Sequence, residues 1–456
     1  MRSNKFDVSS FVKVGTVQPI LWGALMLSLF ISACSAPADS STESPFTGDP
    51  WPSIRAERIA NLLPTAMQDN GLDAWMVICR ENNNDPLADH VGCENAGGSA
   101  AFMFFLTEEG LHSVAISPSG EATSLAEKEI MDEVVEIGRG VGLWGTVQAQ
   151  FERFNPTVIG INTGYSPIAD GLSHTQYASM MEGMPSVWTD KMVSAEPFIR
   201  SWLSVKTDAE VEIMSRAAEI TAAWEVEAYA AAVGGVTSDR DIADFLEEKM
   251  RALGVDDGWA PEQNPAVNSG KDRGHSHPTD RVIQPGDFIQ TDFGIRVYDR
   301  WVTDIQRFAY VLSPGETEAP AEAIAKWEAA KAGSRAAFNA MKPGATGAEV
   351  DRAQRIVMES NGSIPVMWGT GHPVGYWAHD SGPGLSGGAL GRELTSNPAQ
   401  ILRPGMTFAF DGFHSWTLSD STTKTLSVEE MAVVTETGAR WLTPPQEDLI
   451  LIKTPK

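Results

Sequence analysis

A chain of 456 residues is longer than one hydrophobic core ordinarily sustains, so two domains and a leader are expected. Hydrophobic residues make up 42% and charged residues 21%, which excludes a mostly disordered chain and a membrane-embedded body. Sixty acidic against thirty-four basic residues leave a formal charge of -26, a field that repels phosphate backbones and anionic lipid and so excludes nucleic acid as a partner.

In residues 1–34, Arg2, Lys5 and Lys13 precede an apolar stretch from Ile20 to Ala33 that is short for a spanning helix, the pattern of an export signal. It ends in Ile31-Ser32-Ala33-Cys34, which resembles the lipobox of bacterial lipoproteins, where the cysteine is acylated and becomes the mature N-terminus. Cys34 is then a lipid anchor, and a signal-anchor helix with an incidental cysteine is the alternative. Ser35 resembles an outer-membrane sorting signal, so the protein is expected in the cell envelope, on the outer membrane facing the periplasm, touching the membrane only through its lipid. Residues 35–50, rich in Ser, Thr, Pro and Asp, suit a flexible tether, and folding is expected to begin near Trp51. Only Cys79 and Cys93 remain in the body. An oxidising envelope permits a disulfide between them without requiring one. With no CxxC spacing, a thiolate cluster is excluded, and any metal here must be held by oxygen and imidazole.

From 51 to 203, helical stretches alternate with short apolar runs at 75–79, 101–106, 112–116 and 158–161, the pattern of an α/β domain. Glu108-Glu109-Gly110 between two of these runs predicts a hairpin. His90, His112 and His174 are scattered and are read as structural. At Thr207 the pattern changes: Thr207-Asp208-Ala209-Glu210 is a capping box that opens a long Ala/Glu-rich helix ending at Gly234-Gly235. Through 204–445 the order helix, Gly-Val-Thr or Gly-Ala-Thr lead, helix, then paired strands occurs twice, which predicts two similar halves facing each other across a pocket. Residues 446–456 are left as a tail.

Chemistry concentrates in this second domain. Asp292 in Phe288-Ile-Gln-Thr-Asp-Phe-Gly and Asp304 in Trp301-Val-Thr-Asp-Ile-Gln-Arg lie in strand-like runs joined by a short turn, so a hairpin would bring two anions together. Like charges in low dielectric disfavour each other's ionisation, and a divalent cation resolves the conflict. Next comes Gly369-Thr-Gly-His372-Pro-Val-Gly-Tyr-Trp-Ala-His379, in which glycine lets the backbone approach a site. Asp411 and Glu429 then sit inside strands otherwise built of apolar residues, where an acid needs a partner.

Asp, Asp, His, acid and Glu in this order and context resemble the metallopeptidase family of aminopeptidase P, prolidase and creatinase, over residues 51 to 445. The resemblance implies a smaller N-terminal α/β domain and an α+β catalytic domain of the pseudo-twofold pita-bread fold. It also implies a ligand set in which Asp292 binds one metal, Asp304 and Glu429 bridge both, and His372 with Asp411 completes the second. His275 and His379 would handle protons or oxyanion charge, with His277 as the rival of His275, and Asp411 would also collect and pass on a proton. Two divalent ions are implied, Mn first, with Zn, Co or Fe as alternatives. In such a site a shared water becomes a hydroxide that attacks the carbonyl, with no protein nucleophile. Peptides containing proline are the implied substrates, cleaved by Xaa-Pro aminopeptidase or dipeptidase action, and the resemblance leaves the assembly open between a homodimer and a tetramer. The sequence departs from the family in three places. Asp411-Gly412 stands for Glu-Pro, so the acid reaches about 1.5 Å less far. Trp368 stands in the substrate pocket where another His is common, and Ser427 replaces an Arg that would orient carboxylates. These departures keep open a different hydrolase or lyase reaction on the same fold, or a decayed site in a binding lipoprotein.

Overall fold

The computed structural model describes residues 44–93, 98–274, 277–394 and 400–456, and residues 44–456 form one compact unit. Cys34 with the stretch read as an export signal, and His275, lie outside the described residues. Trp51 opens the first helix, Trp51–Glu57, with a proline in its first turn, where a missing N–H leaves nothing unsatisfied. The residues just before it, assigned from sequence to the tether, are docked. The ring of Phe46 meets Tyr298 edge-on, and the Tyr298 hydroxyl donates to the Thr47 carbonyl.

The N-terminal part is built on a six-stranded mixed sheet. Ala74–Arg80 pairs antiparallel with Ser99–Thr107, which turns into Gly110–Ser117, and its other edge runs parallel to Ile159–Ile161. The expected hairpin is present, with Gly110 at φ +119°, a backbone angle that side-chain-bearing residues avoid. Side chains alternate along the central strand: Trp75 packs on Phe198 and Trp202, whereas Met76 and Ile78 join Phe151 and Trp188 on the opposite face. Both faces are therefore covered, which is why the strand is apolar at every position and not at alternate ones. Each such side chain contributes roughly 1.5–3 kcal/mol on burial. Cys79 and Cys93 form a disulfide, which ties the end of this strand to the segment after the helix Ala88–Val91.

The C-terminal part repeats itself. Thr207 caps Asp208–Ala231 through the predicted capping box, and the paired helix Asp239–Leu253 follows under its own box at Ser238. In the second half Ala321–Ala340 precedes Gly347–Ser360, capped by Thr346 with Glu349. Ser238 bridges antiparallel to Val282, and Thr346 bridges antiparallel to Ile401. Ten residues beyond each bridge stands an aspartate, Asp292 in one half and Asp411 in the other. Each half contributes a four-stranded sheet, one with Phe288–Phe293 and Ile305–Val311 at its centre, the other with Thr407–Thr417 and Thr423–Val434. Ile450–Ile452 pairs parallel with Ile305–Val311, so residues set apart from sequence as a tail are part of the first sheet. Among the described residues, no helix is long and apolar enough to cross a membrane.

Candidate metal centre

The centre is assembled by strand register. Thr407–Thr417 and Thr423–Val434 pair antiparallel with Asp411 directly opposite Glu429, and the short strand Gly371–Pro373 on the far edge sets His372 opposite Ala409. From the other sheet come Asp292, opposite Gln306 in its ladder, and Asp304, immediately before Ile305–Val311. The predicted meeting of the two aspartates thus occurs at a strand entry. Asp292, Asp304, Asp411 and Glu429 are each at most 9% exposed. His372 Nε2 stands 3.6 Å from Asp304 Oδ2 and 3.9 Å from Glu429 Oε1. One donor atom from each of Asp304, His372 and Glu429 lies within 4.8 Å of the others, a spacing wide for direct hydrogen bonds and suited to an ion held between them.

Electrostatics agree with that reading. Burial pushes the Asp304 carboxyl well above the usual range, and Asp292 and Asp411 push it further. Glu429 is raised in the same way by burial, then by Asp304, Asp411 and Asp292, with Gln306 partly relieving it by a hydrogen bond. The nearest guanidinium in sequence, Arg307, is engaged with Glu430 at 3.0 Å. His372 is held down at about 4 by burial and by His379, so near neutral pH its imidazole is uncharged and offers a lone pair. Clustered carboxylates plus one neutral imidazole form a donor set for a divalent cation, and burial leaves these anions unfavourable without one.

The cluster lies in a cavity of about 1290 Å³, whose lining includes His379, Trp259, Trp368 and Trp377. The rings of His379 and His372 meet edge-on at 4.2 Å, so the structure brings together the two imidazoles of the glycine-rich stretch. Trp368 is half exposed at the cavity wall, its ring edge-on to Phe413. His277 is exposed and outside the lining. His90 is buried against Tyr376, Trp51 and Trp202, in keeping with a structural role.

Ser427, where the resemblance leads one to expect Arg, lies within a polar network. Its hydroxyl donates to Gln306 Oε1 at 2.7 Å and accepts from Gln290 Nε2 at 3.2 Å, while Gln306 reaches Glu429. Gln306 was missed from sequence, although it follows Asp304 by two residues and strand periodicity places it on the same face. Gly412 explains its own place beside Asp411. A Cβ there would lie 2.1 Å from Ser334 N and 2.2 Å from the Ala330 carbonyl, so only glycine lets this strand lie against the helix Ala321–Ala340.

Residues 212–436 match the model of metallopeptidase family M24. They form an M24 metallopeptidase domain. A curated relative, the Xaa-Pro dipeptidase of Pyrococcus furiosus, is 25% identical over 288 residues, 61% of this chain and 75% of that one. Among solved structures, an Xaa-Pro dipeptidase from Bacillus anthracis superposes with a TM-score of 0.60 at 19% identity, covering 88% of this chain and 100% of that one. An X-Pro aminopeptidase from Thermotoga maritima gives 0.57 at 20%, covering 87% and 99%. At such identities these structures show the fold, and it is the expected one: an N-terminal α/β part followed by the pita-bread M24 domain.

Proposed function

We propose that this M24 metallopeptidase hydrolyses the Xaa-Pro bond of proline-containing peptides, as an Xaa-Pro dipeptidase or aminopeptidase. The observation that carries the reading is the convergence of Asp304, His372 and Glu429 on one point inside the cavity, within a domain of this family. Asp292, Asp304, His372, Asp411 and Glu429 would hold two divalent ions; the oxygen-rich set favours Mn over Zn, Co or Fe. When bound, such a pair acidifies a shared water and polarises the scissile carbonyl. The chain's own groups do the remaining work. Asp411, opposite Glu429 in the ladder, receives a proton on its carboxylate and returns it to the departing proline nitrogen. His379, at the cavity face of its loop, donates to the carbonyl oxygen as charge builds there. Trp259, Trp368 and Trp377 offer apolar faces to the pyrrolidine ring and its neighbours and exclude water from them. Gln306 and Ser427 orient Glu429 in place of the missing Arg.

Cys34 as a lipid anchor, and a place in the cell envelope, belong to the same proposal. The Cys79–Cys93 disulfide suits an oxidising compartment and supports it. The test is release of the N-terminal residue from Xaa-Pro and Xaa-Pro-Xaa peptides by Mn²⁺-loaded protein, with Asp304→Ala as control. Cleavage lost in the control establishes the peptidase, and the preferred length separates dipeptidase from aminopeptidase. Full metal loading without cleavage would point to another reaction on this fold.

A further inference from the structure

His379 sits in a loop without helix or strand, between the strand Gly371–Pro373 and the turns that follow. A group that must meet developing charge has to be held to within about 0.5 Å. What holds this loop lies on its far side. Trp377 and His379 face the cavity, whereas Tyr376 and the Asp380 side chain, in alternation with them, enter a fully buried network of charges.

Arg58 brings the N-terminal part into that network, Lys206 comes from the interdomain segment, and Glu210 from the first turn of the helix Asp208–Ala231. Arg58 Nη1 donates to Glu210 Oε2 at 2.7 Å and to the Val205 carbonyl at 2.8 Å, and Nη2 donates to the Trp202 carbonyl at 2.9 Å. Glu210 Oε1 accepts a short hydrogen bond from the Tyr376 hydroxyl and a second, at 3.3 Å, from Trp301 Nε1. Lys206 Nζ stands 3.0 Å from Asp380 Oδ2 and 4.8 Å over the Tyr376 ring. Asp380 closes the loop on itself by accepting from the Tyr376 amide at 2.9 Å and the Ser381 amide at 2.7 Å. The fit leaves no slack: a Cβ on Gly375 would fall 2.3 Å from Lys206 Cε and 2.4 Å from Asp380 Oδ2.

Fully burying two ion pairs is expensive, and apolar packing would secure two domains at less expense. What the polar arrangement adds is direction: Glu210 fixes the Tyr376 hydroxyl, Lys206 fixes the Asp380 carboxylate, and Arg58 holds Glu210 in place. We propose that Arg58, Glu210 and Lys206 are positioning residues for His379, acting through Tyr376 and Asp380, so that the N-terminal part sets the geometry of the catalytic cavity. The role given to His379 rests on the peptidase reading above; the mechanical link does not.

The test uses the full metal-loaded chain and three variants. Tyr376→Phe removes the loop's bond to Glu210 while keeping the ring. Arg58→Lys weakens the same anchor from the N-terminal side. Trp301→Phe removes the other donor to Glu210 Oε1 without touching the loop. Amide hydrogen exchange is followed in residues 375–381 and, as reference, in Thr407–Thr417, together with bound metal, kcat and KM. In Tyr376→Phe and Arg58→Lys, exchange in 375–381 is expected to quicken about tenfold with the reference strand unchanged. On a cleaved peptide kcat is expected to fall about tenfold, with KM and metal content within about twofold of the parent. Trp301→Phe is expected to leave the loop as it was. Unchanged loop exchange in Tyr376→Phe, or an equal rise in loop and reference strand, would overturn the proposal. If the parent cleaves no Xaa-Pro peptide, the peptidase reading fails, and exchange still decides whether the clamp exists.

Discussion

Two buried charge clusters flank the loop 375–381 and behave in opposite ways. In the cavity, burial and then the neighbouring Asp292 and Asp411 raise the proton affinity of Asp304 and Glu429, and Asp304 adds to the rise at Glu429. Behind the loop, Glu210 is equally buried, yet Arg58 and Lys206 overcome its desolvation and lower its pKa. Burial is common to both, so burial does not mark the functional site. Charge balance does: Arg58 and Lys206 neutralise Glu210 and Asp380 behind the loop, whereas Asp304 and Glu429 are raised by neighbouring acids and offer a donor set for a divalent cation.

The sharpest way to break this contrast is to remove one acid from each cluster. Losing groups that merely orient ligands costs 10–100-fold, so loss of the ligand in Asp304→Ala should lower kcat/KM by about 10³-fold or more and reduce bound metal. The same variant should melt no lower than the parent in chelator, since it relieves repulsion; a clear drop in apo melting temperature would contradict the unbalanced-cluster view. Glu210→Gln should do the reverse, lowering stability by about 3–5 kcal/mol in denaturant titration by stranding Arg58, while metal still binds.

Asp85 supplies an intermediate case, a buried acid whose hydrogen bonds come from neutral donors, the Leu87 amide and Asn162 Nδ2, with the more distant Arg80 offsetting only part of the burial. Burial raises it from 3.8 to about 6. The folded state therefore keeps the proton longer than the unfolded one, and stability falls as pH rises from about 4 to about 6, by about 3 kcal/mol in all. Asp85→Asn should flatten that slope in melts across the window, and an unchanged slope would assign it to other groups. The smallest expected effect is at Gln306. Gln306→Ala should weaken metal binding about tenfold by calorimetry, and an unaltered affinity would remove Gln306 as the substitute for the absent Arg.

Much of the site was legible before the fold was known, because an acid inside an apolar strand is itself a signal: Asp411 and Glu429 stand out against Phe408, Phe410, Val428 and Met431. The capping boxes at Thr207 and Thr346 were equally plain, being local rules of four residues. Gln306, Gln290 and Ser427 were not recognised as a unit, since they come from three strands and a polar residue on a strand is ordinarily solvated. The disulfide was left open from sequence for the same reason: two cysteines state a possibility, and only strand pairing sets their distance. Nothing near Arg58 and Lys206 in sequence reveals that they are buried beside Glu210 and Asp380.

By itself, then, the sequence determined the class of chemistry, the order of the candidate donor residues, the helix starts and the doubled layout, all of which depend on residue type and short-range spacing. Tertiary structure alone decided which acids face one another, which cations are consumed in structural pairs and how the His379 loop is held. These depend on sheet register and on contacts between residues more than a hundred positions apart, where the low dielectric of the interior turns a neighbour's charge into a large effect.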